Sequence, residues 1–247
     1  MPEVSPLKVS RIGARGFLMS FPELDGTNTY VVEGERFRFF LDTYLGPDPM
    51  REVEKCMRHT HGEKTPVVFN SHADWDHIWG NPVFRHTIIL AHESCRERVI
   101  EEGPSDLERH RTYVRGDVTL VPPNVVFSTR LDFPDERLHF FHTPGHTQDS
   151  SSCFDEADNV LFAGDNVESP LPCVSWPDLD AYIASLQSYL ALRPDVVIPG
   201  HGDVADLGLV RKNLEYLMAL SGDRDPGLED PGSLARHGSN LQALGRA

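Results

Sequence analysis

Short apolar runs, bounded by glycine, proline or charged residues, recur along much of the chain. Such runs, when they are rich in β-branched and aromatic side chains, predict strands buried in a sheet. Segment 27–42 contains two of them on either side of residues 33–35, which predicts a β-hairpin with Gly34 in its turn. Further strands are predicted at Pro66–Asn70, Thr87–Ala91, Val160–Ala163 and Val196–Ile198, with several short ones between Val118 and Thr143.

Other segments repeat apolar residues at the spacing of a helix face. The pattern is clearest in Asp178–Leu192, where one face carries Leu179, Tyr182, Ile183, Leu186 and Leu190. Helices are also predicted at Asp48–Thr60, with Pro49 at its first position, at Glu93–Glu102, which Gly103-Pro104 would end, and at Leu209–Leu220.

The order of these elements predicts an α+β protein. Helices flank runs of strands in both halves, and two packed sheets with helices outside fit that order. No linker divides residues 1–221, so we expect a single domain there. Residues 103–117 are highly charged and are interpreted as an insertion or a lid, whereas residues 222–247 are expected to form a tail that is loosely ordered or packed on the surface.

Composition narrows the function further. The 247 residues include 23 basic and 38 acidic ones, for a net charge of −15, and no basic tract stands out. This charge disfavours nucleic acid and anionic membranes as partners, since both are bound through Lys and Arg. No apolar run is long enough to span a bilayer, the N-terminal residues show no secretory leader, and the four cysteines are widely spaced. We therefore expect free core thiols and a cytoplasmic protein.

Four potential metal ligands fall within six residues directly after a predicted strand: His72, Asp74, Asp76 and His77. In an extended loop His72 and Asp74 share a face, whereas Asp76 and His77 point apart. One loop can therefore start two adjacent metal sites.

Three later segments end a strand in a potential ligand beside glycine. They are Pro144-Gly145-His146, Ala163-Gly164-Asp165 and Pro199-Gly200-His201. Imidazole and carboxylate suit a first-row divalent cation, and strand ends would place these ligands at one rim of the sheets.

These motifs resemble those of the metallo-β-lactamase superfamily, with the pattern His-x-His-x-Asp-His, then Gly-His, Gly-Asp and Pro-Gly-His-Gly. The resemblance spans roughly residues 10–220. It implies an αββα sandwich, in which two mixed β-sheets pack face to face with helices on both outer faces, and a two-metal centre at the strand ends. By position, His72 and His146 would bind the first metal, Asp76, His77 and His201 the second, and Asp165 would bridge them.

Asp74 departs from the pattern, because the family usually has its second histidine there. As a ligand, Asp74 would make the site one charge more negative, lower the acidity of its bound water and favour harder ions such as manganese or iron over zinc. A shorter side chain would also reach the metal only if the loop closes in. The alternatives are that Asp74 holds His72 or a water from outside the metal's coordination sphere, or that the first site is weak.

The leading hypothesis is a metal-dependent hydrolase that uses a metal-bound water or hydroxide at a dinuclear centre. Asp76 would orient the nucleophile or carry a proton to the leaving group. The charge favours a small ester, lactone or thioester substrate over tRNA. The alternatives are an iron-dependent redox or oxygen-handling protein, motivated by Asp74, and a non-catalytic metal-binding module.

Overall fold

The computed structural model describes residues 7–24 and 26–246, and within them twelve strands form two sheets. Residues 1–6, part of the segment on which the expected lack of a leader depends, lie outside the described residues, as do Asp25 and Ala247. The single-domain division at residue 221 stays a prediction.

The first sheet contains, in spatial order, β1 (Lys8–Ile12), β2 (Gly16–Ser20), β3 (Asn28–Glu33), β4 (Phe37–Leu41), β5 (Thr65–Phe69), β6 (Ile88–His92) and β7 (Val125–Phe127). The second contains β8 (Arg130–Phe133), β9 (Leu138–His142), β10 (Ser151–Asp155), β11 (Val160–Gly164) and β12 (Val196–Pro199). The helices are α1 (Pro47–His61), α2 (Trp75–Ile78), α3 (Glu93–Glu101), α4 (Gly103–Arg109), α5 (Leu179–Leu192), α6 (Leu207–Ser221) and α7 (Pro231–Ala243).

Both sheets are mixed, as predicted. Strands β1 to β4 pair antiparallel and β4 to β7 parallel. In the second sheet β11 and β12 are parallel and the remaining pairs antiparallel. The parallel pairs matter for function, because their carboxyl ends meet at one rim.

Alternating side chains divide each sheet between two cores. Phe39 and Phe69 point between the sheets, where they meet Phe140 and Phe162 of the second sheet. Their neighbours Phe40 and Val68 point the other way, into a core shared with α1 and α3. A third core lies between the second sheet and helices α5 and α6. Helices therefore cover both outer faces, which confirms the αββα sandwich.

Several boundaries differ from the predicted ones. Helix α1 begins at Pro47, which takes the first helical position that was predicted for Pro49. Helix α3 ends at Glu101, next to the predicted stop at Gly103-Pro104, but Pro104 also lies in the first turn of a second helix, α4, within the segment 103–117. Residues 118–124 form no strand. The segment 222–247 contains a helix that sequence analysis did not predict, and its Ser233 and Asn240 are buried.

None of the described helices combines the length and the apolar character needed to cross a bilayer. The four cysteines are unpaired, and Cys95 and Cys153 are buried as expected. Cys56 is exposed, so the expectation of a core thiol is wrong there: it lies on the outer face of α1.

Candidate functional site

All seven predicted ligands lie at one rim of the sandwich. His72 and Asp74 lie in the loop that follows β5, and α2 carries Asp76 and His77. The three others follow β9, β11 and β12: His146, Asp165 and His201. The ligands thus come from four loops that the two sheets bring to one edge.

The first group consists of His72, Asp74 and His146. Asp74 Oδ2 lies 3.6 Å from His72 Nε2 and 3.4 Å from His146 Nε2. The Asp74 carboxylate therefore faces the same point as the two imidazoles, with its side chain 28% exposed.

The second group consists of Asp76, His77 and His201. Asp76 Oδ2 is 3.2 Å from His201 Nε2 and 3.7 Å from His77 Nε2. The two imidazole Nε2 atoms are 3.3 Å apart.

Asp165 lies between the two groups. Its Oδ1 is 3.4 Å from His77 Nε2, and its Oδ2 is 3.4 Å from His201 Nε2 and 3.8 Å from His72 Nε2. One carboxylate therefore reaches both groups, which is the geometry that a bridging ligand needs.

Each of the four histidines turns its Nε2 to the centre because its Nδ1 contacts an oxygen elsewhere. The pairs are His72 with Ser71 Oγ at 2.9 Å, His77 with Asp42 Oδ2 at 2.8 Å, His146 with the Cys173 carbonyl at 3.1 Å, and His201 with the Leu24 carbonyl at 2.8 Å. Such partners fix ring orientation and tautomer in metal sites.

The donor set fits two divalent cations. His72 Nε2 and Asp165 Oδ1 are buried without a hydrogen-bond partner, which is costly unless a cation takes their lone pairs. Gly200 allows the approach of the ligands, since a Cβ there would lie 2.0 Å from Asp165 Oδ1 and 2.9 Å from His77 Cε1. Four imidazoles and three carboxylates are ligands that zinc, manganese and iron accept.

The close packing of acids and imidazoles shifts their pKa values. Burial opposes the charged forms, but the charge of His72 and the hydrogen bond with His146 hold the pKa of Asp74 well below its usual range. The Asp165 pKa is also held well below its usual range, against burial, by the charges of His77 and His201. Conversely, burial would lower the pKa of His201, but the Asp165 carboxylate raises it to about 11.

Asp42 is a supporting residue that the sequence analysis did not assign to the site. It is fully buried after β4 and accepts hydrogen bonds from Ser71 N and Ser71 Oγ, both at 2.7 Å, besides its contact with His77. The available signal was a carboxylate directly after a run of buried apolar residues, where water cannot solvate it.

A pocket of about 1050 Å³ opens onto the two groups. Trp75 lines it and stacks on His110 at 4.3 Å between ring centroids, so the segment 103–117 packs beside the site. Trp79, in contrast, is part of the core. Helix α7 contributes Arg236, which lies 3.2 Å from Glu168.

The chain is similar in sequence to known proteins. The family model of the metallo-beta-lactamase superfamily matches residues 22–201. A lactamase-like protein nscB of Arthroderma benhamiae is 28% identical over 90% of this chain, and the chain spans only 46% of that relative. The beta-lactamase-like protein 2 homolog of Drosophila melanogaster is 28% identical over 99% of this chain and 80% of its own length.

Solved structures share the fold. A metallo-beta-lactamase from Pontibacter korlensis superposes with a TM-score of 0.70 at 19% identity, over 86% of this chain and 99% of that one. TMB-1 superposes with a TM-score of 0.71 at 17% identity, over 88% of this chain and 100% of the TMB-1 chain.

Proposed function

Because this chain belongs to the metallo-beta-lactamase superfamily, we propose that it is a hydrolase with two divalent cations, which cleaves a small ester, lactone or thioester. His72, Asp74 and His146 would hold the first cation, Asp76, His77 and His201 the second, and Asp165 both. The observation that carries the proposal is Asp165, whose two oxygens reach histidines of both groups.

Two bound cations would supply a polarised substrate oxygen and a water of lowered pKa. The side chains of the protein would then position the reacting groups. Asp76 lines the pocket with its side chain 13% exposed, so its carboxylate can accept a proton and return it to the leaving group. The Nδ1 partners of the histidines keep the Nε2 lone pairs aimed at the centre throughout.

The pocket and the charge support a small substrate. A volume of about 1050 Å³ is at the upper limit of the range usual for small-molecule pockets, and Trp75 and Leu24 form an apolar part of its wall. A net charge of −15 disfavours a polyanion such as RNA. The unpaired cysteines fit a reducing compartment, so we propose the cytoplasm as its location.

Turnover by metal-loaded protein tests the proposal. Stripped protein is reloaded with Zn²⁺, Mn²⁺ or Fe²⁺ and assayed on ester, lactone, thioester and phosphodiester panels. We expect turnover of one of the first three classes, its loss in His146→Ala and its retention in the control His59→Ala, whose side chain is exposed on α1. Absence of turnover with every metal and substrate class would overturn the proposal in favour of a non-catalytic metal-binding module.

A second candidate function is iron-dependent redox chemistry. The observation that favours it is the Asp74 oxygen facing His72 and His146, since carboxylate ligands favour harder ions. Metal analysis and an optical spectrum of protein purified without added metal would decide, because a colourless zinc or manganese protein contradicts the redox candidate.

A further inference from the structure

Asp74 divides its two carboxylate oxygens between different partners. Oδ2 faces the imidazoles of the first group, whereas Oδ1 accepts a hydrogen bond of 3.1 Å from Nη2 of Arg98, on α3. The guanidinium thus occupies the oxygen that does not face the candidate metal position.

Arg98 is itself held from two other sides. Its Nη1 donates to Oδ1 of Asp149, and its Nε donates to Glu102 Oε2 at 3.2 Å. Asp149 is fully buried, and its Oδ2 accepts the backbone N–H of Ala73 at 2.8 Å. A continuous chain of contacts therefore joins the loop of His146, through Asp149, to the loop of His72 and Asp74.

This arrangement answers the two difficulties of a carboxylate at position 74. Aspartate is short, and the bond from Ala73 to Asp149 draws its loop towards the site while Arg98 fixes the carboxylate rotamer. Aspartate also adds one negative charge compared with histidine, and the Arg98 guanidinium offsets it. A planar guanidinium can bond Asp74 and Asp149 together, which the single ammonium of lysine cannot do with the same geometry.

We propose that Arg98 is a positioning residue of the first metal site: it holds Asp74 so that one oxygen faces the cation, and it balances the extra charge. The inference rests on the proposed function, because it presupposes that the first group binds a metal. A competing explanation is that Arg98 only neutralises buried Asp149 and so preserves the loop. The two explanations differ in whether the effect of Arg98 depends on Asp74.

The test is a double-mutant cycle read by metal affinity. Stripped wild-type protein, Arg98→Met, Asp74→His and the double variant are titrated with Zn²⁺ against a chromophoric chelator, and a His201→Ala variant identifies the binding step of the first site. We expect Arg98→Met to weaken the first site by about 10- to 100-fold, the usual effect of removing a ligand's hydrogen-bond partner. In the Asp74→His background the same substitution should change the affinity by less than about 2-fold, since histidine presents no second oxygen for Arg98 to hold.

Two further variants keep the result interpretable. In Arg98→Met the buried Asp149 carboxylate would lose its cationic partner. The variant Arg98→Met/Asp149→Asn removes that negative charge as well, so the titration can be made even if the single variant fails to fold. Arg98→Lys keeps the positive charge but lacks the planar guanidinium that bonds two carboxylates. The affinity of its first site should therefore lie between those of Arg98→Met and wild type. An equal loss in the wild-type and the Asp74→His backgrounds, or no loss in either, would overturn the proposal. Wild-type protein that binds no divalent cation would instead overturn the proposed function.

Discussion

At the scale of single residues, Asp42 shows how much a ligand depends on its neighbours. This buried carboxylate accepts bonds from Ser71 N, Ser71 Oγ and His77 Nδ1, and thereby orients His77 directly and His72 through Ser71, two of the proposed metal ligands. An amide in its place offers one acceptor oxygen instead of two, so at least one of these donors loses its partner.

Asp42→Asn is therefore expected to weaken metal binding about 10- to 100-fold and to lower the free energy of unfolding by about 1–3 kcal/mol. Chelator competition and urea unfolding measure the two effects. Asp135→Asn, at a side chain 79% exposed, is the matched control and should change neither. Metal affinity equal to that of wild type in Asp42→Asn would show that His77 is oriented by other contacts.

Gly200 is required for the opposite reason, because it has no side chain. An added methyl would lie 2.0 Å from Asp165 Oδ1, closer than any real contact, so the Asp165 side chain would have to leave its position between the two groups.

Gly200→Ala should therefore abolish the binding of at least one cation, measured as metal per protein after dialysis, with a smaller loss in thermal stability. Gly238→Ala is the control, because a Cβ at that helical position meets nothing within 4 Å. It should leave metal content unchanged and stabilise the protein by about 0.5–1 kcal/mol. A variant Gly200→Ala that still binds two cations would contradict the bridging role of Asp165.

At the scale of elements, the sequence predicted the helices and strands that show an apolar pattern of their own. It failed for elements whose burial depends on contacts with distant residues. Helix α5 was predicted from the periodicity of its apolar residues, and strand β5 from a short continuous apolar run. Strand β10, Ser151–Asp155, begins with two serines, and Ser152 is buried because its hydroxyl bonds Tyr189 and Thr143. Such pairing depends on distant parts of the chain, so no local pattern could reveal it.

Helix α7 was missed for a similar reason. It contains two glycines after its proline start, and its anchor is a polar residue: Asn240 accepts the Val174 N–H and donates to the Pro172 carbonyl and to Tyr216 Oη, all at 2.9 Å. These bonds join α7 to the loop 168–175 that lines the pocket.

Asn240→Ala should lower the free energy of unfolding by about 1–3 kcal/mol, because it leaves the buried backbone groups of Pro172 and Val174 unpaired. Denaturant unfolding measures the change, and Gln242→Ala, exposed on the same helix, serves as control. Faster amide exchange at Val174 is expected in the same variant. A loss no larger than that of the control would mean that α7 is held by its apolar contacts instead.

At the scale of the whole molecule, the sequence predicted both the αββα sandwich and the set of side chains that meet at its rim. Histidine and aspartate at the ends of apolar runs can be recognised in the sequence alone, so all seven candidate ligands could be named before their distances were known. The supports, Asp42 and Arg98, and the pocket wall formed by α7 could not, because each acts on a segment far away in sequence. The sequence named the candidate ligands, but only the assembled sandwich shows which residues orient them.

The assembled cluster of acids and imidazoles also makes a prediction for the whole protein stripped of metal. Burial opposes protonation of His77 and His146, yet nearby carboxylates, Asp165 first for His77 and Asp74 first for His146, raise both pKa values well above the usual range, and that of His201 to about 11. A histidine with a raised folded-state pKa stabilises fully below about pH 6.5, its unfolded value, and loses that contribution as pH rises towards the folded value. The lowered pKa values of Asp74 and Asp165 act in the other direction, since their contribution is present above about pH 4 and is lost on acidification.

The cluster should therefore stabilise the metal-free protein most between about pH 4 and 6.5, and this contribution should decrease from pH 7 to 9. Metal binding requires neutral imidazoles, so Zn²⁺ must displace protons and its apparent affinity must rise with pH over the same interval. Urea unfolding of stripped and Zn²⁺-loaded protein should thus give free energies that diverge as pH increases, and calorimetry in buffers of different ionisation enthalpy should register release of at least one proton per protein. His201→Ala should release fewer protons than wild type, whereas His59→Ala should release the same number. Zinc binding without proton release at pH 7 would show that these histidines are already neutral, and that the carboxylates around them do not govern their charge.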